Sequence, residues 1–388
     1  MLYAKTRCLL ALHRIGPYHH ARFLAAASLA YLRVLETRPQ SQEYLWRFQA
    51  DAVYGLHQLY GHHSLEEDPP SDQIVQQLAE ILDQLQPQTI VSVGWADRAY
   101  QALLVLAHQR RIPVVLISDS RQRDEPRSAT KEWIKRQLLR GYSAALVAGK
   151  ESRAYLTELG FPPAAIAQPW DVVDNAFFAQ AAASAGPRQP HFLCVSRLVA
   201  KKNHAGLLQA YATYQRQGGR WGLQLVGSGP LEPAIRDQIA ELPDPQRVQL
   251  LPFCQLEELG PLYGQASAFV LASSTDQWGL VVNEAMAAGL PCLVSSAGGC
   301  AVDLVEHGVS GWCFDPTAPS ALAALLLQAE RQSPDQRAAM QQAAHQRLQA
   351  FTPETFASGL QQALQWAIAQ PRFSRRAALT AALLCRRP

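Results

Sequence analysis

What most constrains this chain is the regular alternation of short apolar runs, rich in β-branched residues, with longer stretches patterned for helices. The runs fall at residues 8–12, 89–94, 114–118 and 144–148, then at 191–195, 223–227, 248–252, 268–271 and 292–295. Such runs are too short for helices and lack polar alternation, so both faces of each strand are expected to be buried. Parallel sheets covered by helices on both sides meet that demand, with helices expected at 97–110, 204–216, 231–241 and 319–331. At 388 residues the chain exceeds one ordinary core. The expected fold is α/β, with two doubly wound, Rossmann-like domains facing a central cleft where strand C-termini present a ligand. The small, glycine- and proline-containing stretch ending at Pro190 marks the boundary. The expected division is 1–180, a linker at 181–190, and 191–350. Residues 351–388 then supply a helix at 353–369 that returns to the first domain, followed by a basic tail.

Composition narrows the function. A formal charge of +3, with dispersed basic residues, excludes a nucleic-acid partner that is held by many phosphate contacts. Seven cysteines without a C-x-x-C pair indicate neither a disulfide framework nor a metal site, and they read as reduced, packed thiols. No apolar run approaches the ~20 residues needed to span a bilayer. His13, Arg14, His19 and His20 interrupt any signal-like region near the N-terminus. A cytoplasmic location is expected, with peripheral attachment at the inner face of a membrane left open. That attachment would use the tail, where Arg372, Arg375, Arg376, Arg386 and Arg387 flank the apolar residues 377–384. A frayed basic terminus is the competing reading.

The chemistry concentrates in the second half. After the strand ending at Leu271 comes a polar loop holding Asp276 and Gly279, then a helix from about Leu280 that carries Glu284. Gly279 permits close backbone approach, and the first amides of the helix, at Leu280 and Val281, would meet an anion such as a diphosphate. Glu284 would accept hydrogen bonds from ribose hydroxyls. Asp276 would do so from a sugar, or would cap the helix. Taken singly, Arg197 and Lys202 read as surface cations, and Gly227-Ser228-Gly229 as a strand-end turn without the full dinucleotide glycine fingerprint.

In order and spacing, however, these segments resemble family 4 glycosyltransferases of the GT-B fold. Residues 276–284 resemble that family's E-x7-E motif, 194–203 its G-R-L-x-x-x-K-N block, and 225–230 its V-G-x-G-P turn. Gly298-Gly299 and 303–311 resemble the region before its last helices. The resemblance covers about residues 190–316. It implies that Arg197 and Lys202 bind the donor diphosphate, that Glu284 binds ribose, and that Asp276 binds the transferred sugar. Gly227, Gly229 and Phe253 would line the donor site. Two fixed cations facing the departing diphosphate would stabilise the transition state, so no cofactor or metal is obligatory. Two departures stand out: Asp276 replaces the family's first glutamate, and Trp278 replaces its usual phenylalanine.

The first half carries weaker resemblance and reads as the acceptor side. Gly16 permits close approach, and Tyr18, His19 and His20 follow on the same turn, with the histidines touching an acceptor hydroxyl or else capping and packing. Asp119, where many relatives have histidine, lies in a polar loop with Arg121 and Arg123. It would receive or orient an acceptor proton, or else cap a turn with Ser118. Trp95 lines the same cleft or is simply buried.

The expected activity is therefore transfer of a sugar from a nucleotide diphosphate sugar to a hydroxyl of a glycan or lipid-linked acceptor. By resemblance the transfer retains configuration and serves glycan, polysaccharide or glycolipid synthesis. A nucleotide-sugar epimerase of the same fold and a non-catalytic sugar-nucleotide binding protein are the alternatives. The absent glycine fingerprint disfavours a nicotinamide dehydrogenase.

Overall fold

A computed structural model describes residues 5–38, 46–47, 51–59 and 70–386; Arg387 of the basic tail lies outside them. The chain divides into two compact units, Met1–Val172 with Pro353–Pro388, and Val173–Thr352.

The first unit holds β1 (Thr6–Leu12), α1 (Pro17–Ala27), β2 (Ala30–Glu36), β3 (Leu56–Gln58), α2 (Ser71–Leu85), β4 (Thr89–Val93) and α3 (Arg98–Gln109). It continues through β5 (Val114–Ser118), α4 (Ala129–Leu139), β6 (Ala144–Val147), α5 (Lys150–Glu158) and β7 (Ile166–Ala167). Among the described residues its seven strands, all parallel, lie in the order β3-β2-β1-β4-β5-β6-β7. The order reverses between β1 and β4, where open α/β sheets bind ligands. The loops leaving those two strands carry Gly16 and Trp95. β2 escaped the sequence reading because Tyr31 and Arg33 break its apolar run. β3 and β7, at three and two residues, are too short to show a pattern.

The second unit holds α6 (Asn175–Ser184), β8 (His191–Val195), α7 (His204–Arg216), β9 (Gly222–Val226), α8 (Glu232–Ala240), β10 (Val248–Leu251), α9 (Leu256–Gln265) and β11 (Ala268–Leu271). After these come α10 (Leu280–Ala287), β12 (Cys292–Ser295), α11 (Ala301–Leu304), β13 (Trp312–Phe314), α12 (Pro319–Glu330) and α13 (Pro334–Leu348). The sheet order is β10-β9-β8-β11-β12-β13, again parallel, with its switch point between β8 and β11. The division between units falls ahead of residues 181–190. Within that stretch Arg188 donates to the carbonyls of Ala266 at 2.7 Å and Ala288 at 2.8 Å. These are orphan acceptors just past the ends of α9 and α10, so a half-buried guanidinium serves two helix C-termini at once.

The C-terminal segment forms α14 (Pro353–Ala369) and α15 (Arg375–Cys385). In the first unit α14 packs on α1 and the β4–β7 strands, while α15 packs on α3 and α4. Gly359 brings α14 against the chain before Pro169, where a Cβ would lie 2.8 Å from the Gln168 carbonyl oxygen. The frayed-terminus reading of the tail is corrected over 375–385. Ser374 caps that helix through the Ala377 amide, and Ala377, Ala381 and Cys385 are buried at four-residue spacing.

All seven cysteines are free thiols, and burial pushes Cys194 up to about 11. Among the described residues no helix is long and apolar enough to cross a membrane.

Candidate functional site

The switch point of the second unit gathers the segments that the motifs singled out. From β8 the chain runs through Arg197 and a short 3-10 turn at Ala200–Lys202 into α7. From β11 it runs through Asp276 to Gly279, the N-cap of α10, in the left-handed region at φ +106°. Lys202 Nζ donates to Asp276 Oδ2 at 2.5 Å, and Ser273 Oγ donates to the same oxygen at 3.3 Å. Asp276 is therefore not the helix cap; its side chain turns to the cation. Its backbone makes an isolated parallel bridge with Gly298, and Gly299 N donates to Asp276 O at 2.9 Å, so the 298–299 glycines hold this loop in place. Arg197 is half-buried in the preceding loop, and Leu280 and Val281 stand half-buried in the first turn of α10.

Gly227 and Gly229 act first on the protein's own backbone. A Cβ at Gly227 would lie 1.9 Å from the Ser196 carbonyl oxygen, and one at Gly229 would lie 2.5 Å from that of Leu198. Leu198 N donates to Ser228 O at 3.0 Å, which locks the glycine turn to the Arg197 loop. Ser228 Oγ in turn accepts from the Phe253 amide at 3.0 Å, which ties the loop after β10 to the same turn.

Glu284 lies deeper than a surface ligand contact. It is wholly buried, and Tyr263 donates its hydroxyl to Oε2 at 2.6 Å. Trp278 is also buried: its Nε1 donates to Asn283 Oδ1 at 2.9 Å and its ring packs 5.2 Å from Phe351. The replacement of phenylalanine by Trp278 thus adds a donor whose partner is internal.

Two supports were given no role from sequence, although the first ends the 194–203 block. Asn203, in the left-handed region at φ +54°, caps α7 through Gly206 and donates to the carbonyls of Ala272 and Pro316, both at 3.1 Å. One amide thereby joins the loops after β8, β11 and β13; the signal was an asparagine directly after a lysine pair. His204 contacts Ser196 Oγ at 3.0 Å and is pushed down to about 4 by burial, helped by the Lys202 charge.

In the first unit, Gly16 caps α1 and its amide donates to His19 Nδ1 at 3.1 Å. Burial, with the Arg22 charge adding to it, pushes His19 down to about 3. The ring is therefore neutral at physiological pH, and with Nδ1 accepting, its proton sits on Nε2. His20 Nδ1 lies 3.0 Å from Tyr54 Oη, and Tyr18 meets Trp46 edge to face. Arg22, also unmarked by sequence, is buried with its guanidinium 4.5 Å over Trp170. It donates to Val172 O at 3.0 Å and Asp171 Oδ1 at 3.3 Å. Trp95 is half-buried against the core.

The loop after β5 is organised by ion pairs. Arg121, buried, binds Asp124 at 2.7 Å and Glu151 at 2.9 Å, and Arg123 also binds Glu151. The two arginines expected to flank Asp119 thus have other carboxylates as their close partners. Asp119 is raised above the ordinary carboxylate range by burial and by Asp124, against the opposing pull of its own backbone, Arg121 and Arg22.

Comparisons with known proteins agree with this layout. Residues 178–347 match the family model described as "Glycosyl transferases group 1". An amylovoran biosynthesis glycosyltransferase, AmsK of Erwinia amylovora, is 36% identical over 141 residues, covering 35% of this chain and 34% of that protein. A putative colanic acid biosynthesis glycosyltransferase, WcaL of Salmonella typhimurium, is 30% identical over 182 residues, 45% of each chain. The chain thus matches about a third of the first curated relative and under half of the second. A glycosyltransferase from Rickettsia africae superposes with a TM-score of 0.73 over 95% of this chain and 100% of that one, at 15% identity. Anabaena Alr3699/HepE, in complex with UDP and glucose, superposes at 0.70 over 92% and 98%, at 18% identity. The fold is GT-B.

Proposed function

We propose that the chain is a glycosyltransferase that takes a hexosyl group from a nucleotide diphosphate sugar, with retention, to a glycan or lipid-linked hydroxyl. The observation that carries this reading is the Lys202–Asp276 pair, which joins the loop after β8, the loop that also carries Arg197, to the loop leading from β11 into α10 at the switch point of the second unit. Arg197, Lys202 and the α10 amides make a seat for a diphosphate. When the glycosidic bond breaks, negative charge grows on the departing phosphate, and fixed cations there lower the barrier. Asp276 keeps a carboxylate against Lys202 despite its shorter chain, and it holds that cation until the donor arrives and a sugar hydroxyl takes its place. A ribose diol reaches Glu284 by taking over the hydrogen bond that Tyr263 now makes. The relatives named for amylovoran and colanic acid biosynthesis support a polysaccharide setting, and the UDP and glucose complex of HepE supports a uridine nucleotide donor.

On the acceptor side, the incoming hydroxyl donates a hydrogen bond to Asp119, which orients it. The leaving phosphate takes the proton, as the family resemblance implies.

The test is a panel of nucleotide sugars, scored first by thermal shift and then by turnover with lipid-linked and polysaccharide acceptors. Arg197→Ala is expected to abolish turnover with the fold intact. Near-normal transfer by that variant would sink the assignment.

A pH profile examines Asp119 separately. Because its carboxyl is raised, the acidic limb of kcat/KM is expected above the ordinary aspartate value of about 3.9. Asp119→Asn should remove that limb and lower kcat by about 10²-fold, the cost of a misoriented hydroxyl. Linkage runs the other way for stability. A raised carboxyl contributes stability that is present below its unfolded pKa and is lost as pH rises through the folded one. The asparagine variant should therefore be more stable than the parent at neutral pH. An unchanged limb would remove Asp119 from the mechanism.

A further inference from the structure

We propose that the outer face of the α4–α15 pair is a docking surface for an anionic lipid bilayer. The inference rests on the surface of the first unit and does not depend on the transferase reading. On α15, Ala377, Ala381 and Cys385 turn inward, so the opposite stripe is set by helical spacing: Arg376, Leu379, Leu383 and Arg386. Leu383 is 72% exposed and Leu379 65%, the two most exposed large apolar side chains among the described residues. On α4, which packs against α15, Trp133 is 58% exposed and Arg136 and Arg140 share its outward stripe. A helix that buries alanines and exposes leucines reverses the usual economy of a water-facing helix. Scattered exposed hydrophobics need no explanation, but leucines aligned between arginines, beside a tryptophan, have the composition of an interfacial helix.

Charge decides the occupant. Residues 371–386 contain four arginines and no acid. On α4 and its C-cap, Lys131, Lys135, Arg136 and Arg140 stand with a single acid, Glu132, whose carboxylate accepts from Tyr155 Oη at 2.8 Å and from Lys135 at 3.1 Å. Such a surface is repelled by a second copy of itself and attracted to a negative one, where leucine and tryptophan enter the acyl boundary while arginines remain at the phosphates.

The experiment is co-sedimentation of the full chain with phosphatidylglycerol vesicles and with phosphatidylcholine vesicles. Binding is expected to the first and not the second, and to weaken as the Debye length falls from about 10 Å at 0.1 M salt to about 3 Å at 1 M. The double variant Leu379→Glu, Leu383→Glu should weaken it at least about tenfold, since each change removes buried apolar area and adds a repelled charge. Both side chains point to solvent, so circular dichroism and the melting temperature should match the parent. A blue shift of tryptophan emission on binding should shrink in Trp133→Phe. No affinity for phosphatidylglycerol, equal binding of the double variant, or a leucine-dependent dimer in sedimentation would each overturn the proposal.

Discussion

Lys202→Ala is expected to lower kcat/KM for transfer by about 10²–10³-fold, the usual consequence of removing one fixed group that faces developing negative charge. The side chain is only 13% exposed and is held against Asp276, so it is a fixed cation and not a mobile surface lysine. Two effects combine in the variant: the departing phosphate loses a cation, and the Asp276 carboxylate loses its lysine while keeping the Ser273 hydroxyl as a donor. Asp276→Ala separates them. If Asp276 acts on the sugar, this variant loses turnover while binding the nucleoside diphosphate product as well as the parent or more tightly, because Lys202 is released to the phosphates. If the pair were merely structural, both single variants would melt earlier, each stranding one charge, and the double variant would lose clearly less than the sum of the two. Turnover of Lys202→Ala within about threefold of the parent, well short of the 10²-fold minimum expected for such a group, would remove the diphosphate role.

The switch point was legible because its residues are tied to backbone demands that sequence records. Glycine at 227, 229 and 279 and a short cationic block after β8 belong to local turns, and local turns have local signatures. Glu284 was legible as a position and not as an environment. That a carboxylate on α10 would be buried under Tyr263 of α9 follows from packing between helices that are distant in sequence. The same holds for Asn203, whose two carbonyl partners lie on loops far along the chain. In the first unit, Asp119 and its neighbouring arginines were visible as a polar cluster. The arginines' choice of Asp124 and Glu151 depends on α5, which sequence adjacency does not reveal. Short strands such as β3, β7 and β13 exist because a neighbouring strand offers them hydrogen bonds, and two or three residues carry no period of their own.

Gly227→Ala is expected to be the most damaging single-methyl change in the second unit. Gly227 has φ +150°, and its added Cβ would sit 1.9 Å from the Ser196 carbonyl oxygen and 2.9 Å from the carbonyl carbon. These are backbone atoms at the end of β8, so no rotamer change relieves the overlap. Gly218 provides the control: it has φ +88° but nothing within 4 Å of its Cβ position. Gly218→Ala pays the torsional term alone, about 1 kcal/mol. Gly227→Ala adds displacement of the Ser196–Leu198 backbone, for a total of about 3 kcal/mol or more. For a unit of this size that corresponds to a melting point lower by roughly 6–12 °C, against roughly 2–4 °C for the control. Because the displaced backbone carries Arg197, donor affinity should fall in Gly227→Ala and stay unchanged in Gly218→Ala. Equal melting shifts in the two variants would show that close approach to β8 is not what requires glycine here. A large shift with undiminished donor binding would instead separate the turn's packing from the placement of Arg197.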